Sequence, residues 1–279
     1  MTRFGFAVNP TSEAAVDMGE RAVAWCREHG ITTWLEEAAA TARLTAQLLD
    51  SDALIVLGGD GTMLRAARAV AEVDVPILGV NSGKVGFLSK AEAGQLGAVL
   101  GLLADGAYEL EERMILEATV RPAGGPATAA PFLALNEAAV VRGSQARVVR
   151  LAVDVDDSHL ATYIADGLVV ATPTGSTGYS FSAGGPILDP TSRNIVVTPV
   201  AAYLAGIRSV VVSPKHTITV RVESAHDVLI SVDGWEEAPL AVGDSIVVRP
   251  RERPVRFIEP RGAPPFWDLL RRKVELLPS

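Results

Sequence analysis

Apolar residues in the first part of the chain fall into two alternating patterns. Short continuous runs at 4–8, 31–35, 53–57 and 76–80 predict strands. Between and after them, segments 13–29, 41–49, 62–72 and 92–103 carry apolar residues at helical spacing. In the first of these segments the stripe is Ala14, Ala15, Met18, Ala22 and Trp25, and Gly30 supplies a stop. Strands alternating with helices predict βαβ units around a Rossmann-like parallel sheet. Ligands of such sheets bind at the carboxyl ends of strands.

After Asp105-Gly106 the helical spacing gives way to strand-like runs rich in Val, Ile and Thr. They cover 114–120, 132–141, 148–155, 168–172, 195–199, 217–222, 228–232, 245–248 and 255–258. Turn residues separate them, as at Asp156-Asp157-Ser158 and Ala241-Val242-Gly243-Asp244. This predicts an all-β, β-sandwich-like second domain. The segment from Pro265 to Lys273 reads as a short amphipathic helix returning to the first domain. The expected organisation is an α/β domain over 1–110, joined by 264–279, and a β-rich domain over 111–263. The small-residue loop 122–130 is expected to be exposed.

Composition narrows the class. Cys26 is the sole cysteine of 279 residues, which excludes an intrachain disulfide and argues against a cysteine-based zinc site. The simplest setting is a reducing cytoplasm. A net charge of −8 disfavours a duplex nucleic-acid binder, which needs a basic face. The apolar stretch 195–207 is interrupted by Pro199 and falls short of the roughly 18 residues that span a bilayer. A soluble, unprocessed protein is expected. His29, His159, His216 and His226 lack metal-ligand spacing and read as surface residues.

Candidate chemistry begins at Gly58-Gly59-Asp60-Gly61-Thr62, between a predicted strand and a predicted helix. Helix N-termini attract anions through free N–H groups and the positive end of the dipole. A carboxylate there repels a bare phosphate. It becomes useful if a metal lies between them, or if it must take a proton from a hydroxyl attacking the phosphate. The turn matches neither G-x-G-x-x-G nor a Walker A loop, so phosphate would rely on backbone N–H groups, with Arg65 one turn on. The plainer reading is an Asp60 that caps its helix.

Two further segments carry polar groups in unusual density. Residues 172–177 offer four hydroxyls and a glycine, followed by Ser180, Ser182 and Gly184-Gly185-Pro186. Such groups suit phosphate and ribose oxygens, or they satisfy their own loop. Asn136-Glu137 interrupts an apolar strand. If buried it needs partners or a ligand; the alternative is an edge strand with Glu137 in water. Asn81 and Lys84 lie in another strand-end loop, and Lys84 and Arg147 are isolated cations. Gly175-Ser176-Thr177-Gly178 lacks the spacing of a nucleophile elbow, which rejects a hydrolase.

In order along the chain, the matching pieces are Gly58–Thr62, Gly79-Val80-Asn81 with Gly83, and Gly86-Phe87-Leu88. Asn136-Glu137, Asp166-Gly167, 172–177, 182–186, Ser231-Val232-Asp233-Gly234 and the Phe266-Trp267 helix follow. Together they resemble the NAD kinase family over nearly the whole chain. The resemblance implies transfer of the terminal phosphoryl of ATP or polyphosphate to the 2′-hydroxyl of the NAD adenosine ribose, with a divalent cation such as Mg²⁺. It also implies a phosphate-binding first domain, an NAD-binding second domain and a homodimer or homotetramer, with neither nucleic acid nor membrane as partner. On matching positions, Asp60 would accept the proton. Gly61, Arg65, Asn136, Glu137, Arg147, Asp166, Thr174, Thr177, Gly178, Tyr179, Ser180, Phe181 and Ser182 would line the nucleotide sites. Gly59, Thr62, Asn81 and Ala201 are secondary candidates. The chain departs from the family pattern at Ile164, Gly178 and Trp235. The competing expectations are a lipid or sugar kinase sharing the glycine turn, and a non-catalytic dinucleotide sensor.

Overall fold

The structure, a computed structural model, describes residues 1–83, 86–128, 130–143, 147–203, 206–223 and 227–275. It divides into two compact units: Met1–Glu112 with Arg253–Ser279, and Arg113–Glu252.

In the first unit, strands among the described residues lie in the order Thr32–Glu37, Arg3–Val8, Ala53–Leu57, Ile77–Asn81, Val255–Pro260 and Tyr108–Arg113, with Ala91–Glu92 beside Ile77–Asn81. The pairings from Thr32–Glu37 through to Val255–Pro260 are parallel. Helices Glu13–Glu28 and Leu96–Ala104 pack Met18, Ala22, Leu100 and Leu103 onto Phe4, Phe6, Ile55, Leu57 and Leu78. The Glu13–Glu28 helix starts where expected because Ser12 caps it, accepting from the Ala15 N–H. Burial in the same core pushes the Cys26 thiol up to about 12, so it is an inert core group.

The run 255–258, expected in the β-rich half, belongs to this parallel sheet, with Phe257 opposite Ile77. The reason is visible in its side chains. Val255, Phe257 and the adjacent Ile258 are all buried, as in a strand covered on both faces rather than one that alternates.

In the second unit, one sheet runs Ser158–Ala165, Val149–Val155, Ile218–Val222, Ser245–Pro250, Leu116–Arg121, Phe132–Ala134. The other runs Val210–Val212, Ile195–Val200, Gly167–Ala171, Glu137–Arg142, Val228–Val232, Glu236–Leu240. Inward residues of both sheets, among them Leu151, Val220, Ile246, Ala138, Val140, Leu168, Val170 and Val197, form one core. This is the expected sandwich. In the second sheet the alternate residues Ala139, Val169, Ala171 and Val196 are buried too, in a separate cluster joined by Leu188. Something therefore covers the outer face of its central strands. The described residues of 122–130 are exposed, as expected. No helix of the described residues is long and apolar enough to cross a membrane.

Candidate functional site

In the first unit, the fully buried strand Ala53–Leu57 leads through Gly58 into helix Asp60–Val73. Gly59 is the N-cap and makes no side-chain cap bond; Asp60 is the first helical residue, not the cap. Its carboxylate turns instead to a neighbouring loop. Oδ2 accepts the Phe87 N–H at 2.9 Å and Oδ1 accepts the Leu88 N–H at 3.1 Å. A side chain at Gly86 would overlap Oδ1, which explains why a glycine precedes these two donors. Lys273 Nζ lies 3.9 Å from Oδ2. The Asp60 side chain is nonetheless 32% exposed, so the carboxylate is fixed in direction and open to solvent.

Around it, Arg65 and Thr62 are half-buried on the first turns of the helix. Asn81, buried at the end of strand Ile77–Asn81, accepts the Gly83 N–H on Oδ1 at 2.9 Å and holds the next turn. Gly59 and Gly61 complete the turn. Lys84 lies outside the described residues.

In the second unit, Glu137 opens strand Glu137–Arg142, which is flanked by Gly167–Ala171 and Val228–Val232. It is thus interior to the sheet and 8% exposed, not at an edge in water. Asp233 follows the neighbouring strand with φ 50°, and its carboxylate accepts N–H groups from Leu135 at 2.9 Å, Asn136 at 2.8 Å and Glu137 at 3.0 Å. Glu137 itself is the poorer for this. Burial first, and then the Asp233 charge, push its carboxyl up to about 8, while the Tyr179 N–H works the other way. Its Oε2 has no hydrogen-bond partner.

The segment 172–188 lies over this strand end. Thr172 donates its N–H to Asn136 O at 2.8 Å and its hydroxyl to Leu135 O at 2.6 Å. A side chain at Gly175 would overlap Asn136 O. The other hydroxyls are spent in place. Ser176 donates to Pro173 O and accepts from the Leu188 N–H, Thr177 donates to Thr174 O, and Ser180 pairs with Thr198 at 3.1 Å. The buried Arg113 donates to Thr174 Oγ1 at 3.3 Å. This much of the hydroxyl-rich loop satisfies itself.

In this part of the unit Asn136, Thr177 and Gly178 are half-buried, and Tyr179, Phe181 and Ser182 are exposed. Asp166 precedes strand Gly167–Ala171 and is held by Arg142, whose Nε is 2.9 Å from Oδ1. Burial, then the charges of Asp166 and Glu137, raise the Tyr179 phenol above its ordinary value, which ties all three to one locality. Arg147 and Ala201 are exposed; Ala201 adopts φ 47°, rare for a residue with a side chain. His159 and His216 pair with Asp154 and Asp156 on the surface, while His226 lies outside the described residues. Among the described residues there is no group of three or more His, Cys, Asp or Glu side chains suited to a metal.

Arg142 and Lys273 were not singled out as site residues, and Asp233 and Phe87-Leu88 were named only as pieces of the family pattern, without a role. The signal for Asp233 was present, since Asp233-Gly234 ends an apolar strand. The others act through contacts distant in sequence.

The description "ATP-NAD kinase N-terminal domain" matches residues 4–108, and "ATP-NAD kinase C-terminal domain" matches 135–260. The NAD kinase of Symbiobacterium thermophilum is 40% identical, over 98% of this chain and 99% of its own length. The chain belongs to the NAD kinase family. The enzyme is therefore a phosphotransferase acting on NAD, and the lipid-kinase, sugar-kinase and sensor alternatives are not favoured. The NAD kinase of Caldanaerobacter subterraneus is 37% identical over 98% of this chain and 99% of its own. Among solved structures, an Archaeoglobus fulgidus NAD kinase in complex with ATP has a TM-score of 0.80 and 27% identity, covering 98% of this chain and 99% of that one. Yeast NADH kinase complexed with NADH has the same fold, with a TM-score of 0.86 at 23% identity, over 99% and 87% of the two chains.

Proposed function

We propose that Asp60 is the proton acceptor when the terminal phosphoryl of ATP passes to the 2′-hydroxyl of the NAD adenosine ribose. The ribose O–H breaks, its proton goes to the Asp60 carboxylate, the new O–P bond forms and ADP leaves. The observation that carries this reading is a carboxylate aimed by two backbone N–H groups yet 32% exposed. Phosphoryl transfer has a loose transition state, so aim and charge neutralisation supply most of the catalysis. The Asp60–Val73 helix start, with Gly59, Gly61, Thr62 and Arg65, supplies N–H groups and a cation for donor phosphates. Asn81 supports that end of the sheet.

In the second unit, Asn136, Glu137, Asp166, Tyr179 and the neighbouring Thr177, Gly178, Phe181 and Ser182 bind the dinucleotide. Thr174 and Ser180 hold the loop that carries them, and Arg147 and Ala201 belong to its outer surroundings. The unpartnered Oε2 of Glu137 is a hydrogen-bonding group without a protein partner, as expected of a ligand contact. Residues 1–112 with 253–279 then act as the phosphate-handling domain and 113–252 as the NAD-binding domain.

The donor set suits a Mg²⁺ ion that arrives on the phosphates rather than one caged by protein, because Asp60 is a lone open carboxylate. The glycine turn at Gly59, Gly61 and Thr62 would hold the phosphates that carry it, leaving Asp60 to take the proton, and the ion would neutralise developing charge. Polyphosphate as an alternative donor, a homodimer or homotetramer, and a cytoplasmic setting complete the reading. Incubation with NAD, Mg²⁺ and either ATP or polyphosphate, coupled to an NADP-specific dehydrogenase, is expected to yield NADP. Absence of product with both donors overturns it.

A further inference from the structure

We infer that Lys273 is a positioning residue for Asp60, delivered by the C-terminal helix. This rests on the reading of Asp60 as proton acceptor. Helix Phe266–Glu275 places Phe266, the buried Leu269 and Lys273 at positions i, i+3 and i+7, on one face. The Phe266 ring centroid is 6.4 Å from that of Phe87, and Trp267 packs edge-on against Phe266 at 5.0 Å. Lys273 Nζ sits 4.2 Å from the centroid of the Phe87 ring and 3.9 Å from Asp60 Oδ2.

Phe87 therefore serves both partners. Its N–H binds Asp60 Oδ2, and its ring face seats the ammonium by cation–π attraction. The three residues close a triangle that fixes the direction of one carboxylate oxygen. The ammonium also answers the objection that a carboxylate at a helix N-terminus repels phosphates, since it adds positive charge beside Oδ2. At 29% exposure, Lys273 is sheltered by the ring yet not committed to a buried ion pair. Its action is through Asp60 and not on the dinucleotide, because Asp60 and the Phe87 ring are its seats.

The test measures steady-state kinetics of Lys273→Met, Lys273→Arg, Phe87→Leu and the Lys273→Met/Phe87→Leu pair, with thermal unfolding of each as a folding check. A partly exposed pair is worth up to about 1 kcal/mol, so Lys273→Met should lower kcat by up to about fivefold. KM for NAD and ATP should stay within about twofold, since uniform binding is not lost. Lys273→Arg should restore most of kcat. Phe87→Leu should lower kcat less, and the pair should be no worse than Lys273→Met alone. The inference is overturned by a rise in KM for ATP at unchanged kcat, which would make Lys273 a donor-binding group. It is equally overturned by additive losses in the pair, or by Met and Arg variants that both match wild type. Failure of the Asp60 reading appears elsewhere, as normal turnover in Asp60→Asn.

Discussion

Asp60 and Asp233, one in each unit, are both carboxylates that collect backbone N–H groups, and they end in different chemical states. Asp233 takes three donors, is 4% exposed and has little left to offer a ligand. Asp60 takes two, one on each oxygen, and stays 32% exposed. An ionised carboxylate can accept about four hydrogen bonds, so Asp60 keeps unspent acceptor capacity. Glu137, beside Asp233, shows the cost of the saturated arrangement: buried, facing a second negative group, and with one oxygen unpartnered. A saturated carboxylate organises backbone, whereas the two left incomplete are the ones a substrate can complete.

The strongest way to break this contrast is Asp233→Ala. It would orphan three backbone donors, each costing roughly 1–3 kcal/mol if left unsatisfied, and should destabilise the protein by about 3 kcal/mol or more in denaturant unfolding. A loss under about 1 kcal/mol would mean water replaces the carboxylate, and Asp233 would not be the organiser. Next is Gly86→Ala. The added methyl overlaps Asp60 Oδ1 and should swing the carboxylate off its two amides. Misplacement of about 1 Å can cost roughly 10²-fold, so kcat should fall by about that factor with NAD binding intact. An unchanged kcat would show that the aim of Asp60 does not matter.

A pH-dependent effect is expected at Glu137. Its folded pKa, about 8, lies above the ordinary 4.5. The folded state therefore holds a proton that the unfolded state has lost, and stability falls as pH rises from 4.5 to about 8. Glu137→Gln removes this slope, worth on the order of 1 kcal/mol per pH unit. Melting temperatures at pH 5, 7 and 9 should show the variant gaining on wild type up to pH 8 and then running parallel. A constant difference would mean Glu137 ionises normally. The smallest change is Gly178→Ala, whose methyl would stand 3.2 Å from Glu137 Oε2. It should raise KM for NAD by about twofold without touching kcat, since only a slight shift of Glu137 is needed.

The central strands of both units were legible because burial on one or both faces leaves continuous or alternating apolar runs. The strands that escaped are Tyr108–Arg113, Ser158–Ala165, Val210–Val212 and Glu236–Leu240, each at the end of its sheet, and the two-residue Ala91–Glu92. End strands can carry charge, as the Glu-rich Tyr108–Arg113 does, so their pattern dissolves. At the site, the glycine turn and Asn136-Glu137 stood out as local oddities. The hydroxyls of Ser176, Thr177 and Ser180 looked like ligand groups, and spacing could not reveal that each is paired within its own fold. Lys273 was legible as part of an amphipathic helix, but its approach to Asp60 spans more than two hundred positions, where periodicity carries no information.

The most direct measurement is kcat of Asp60→Asn for NADP formation, alongside its NAD affinity and unfolding curve. Asn keeps the shape and one acceptor for the Phe87 and Leu88 amides but cannot take a proton. Turnover should fall by about 10²–10⁴-fold, the contribution of a positioned base, with the protein still folded and its NAD affinity close to wild type. Near-normal turnover in a folded, NAD-binding variant would contradict the account.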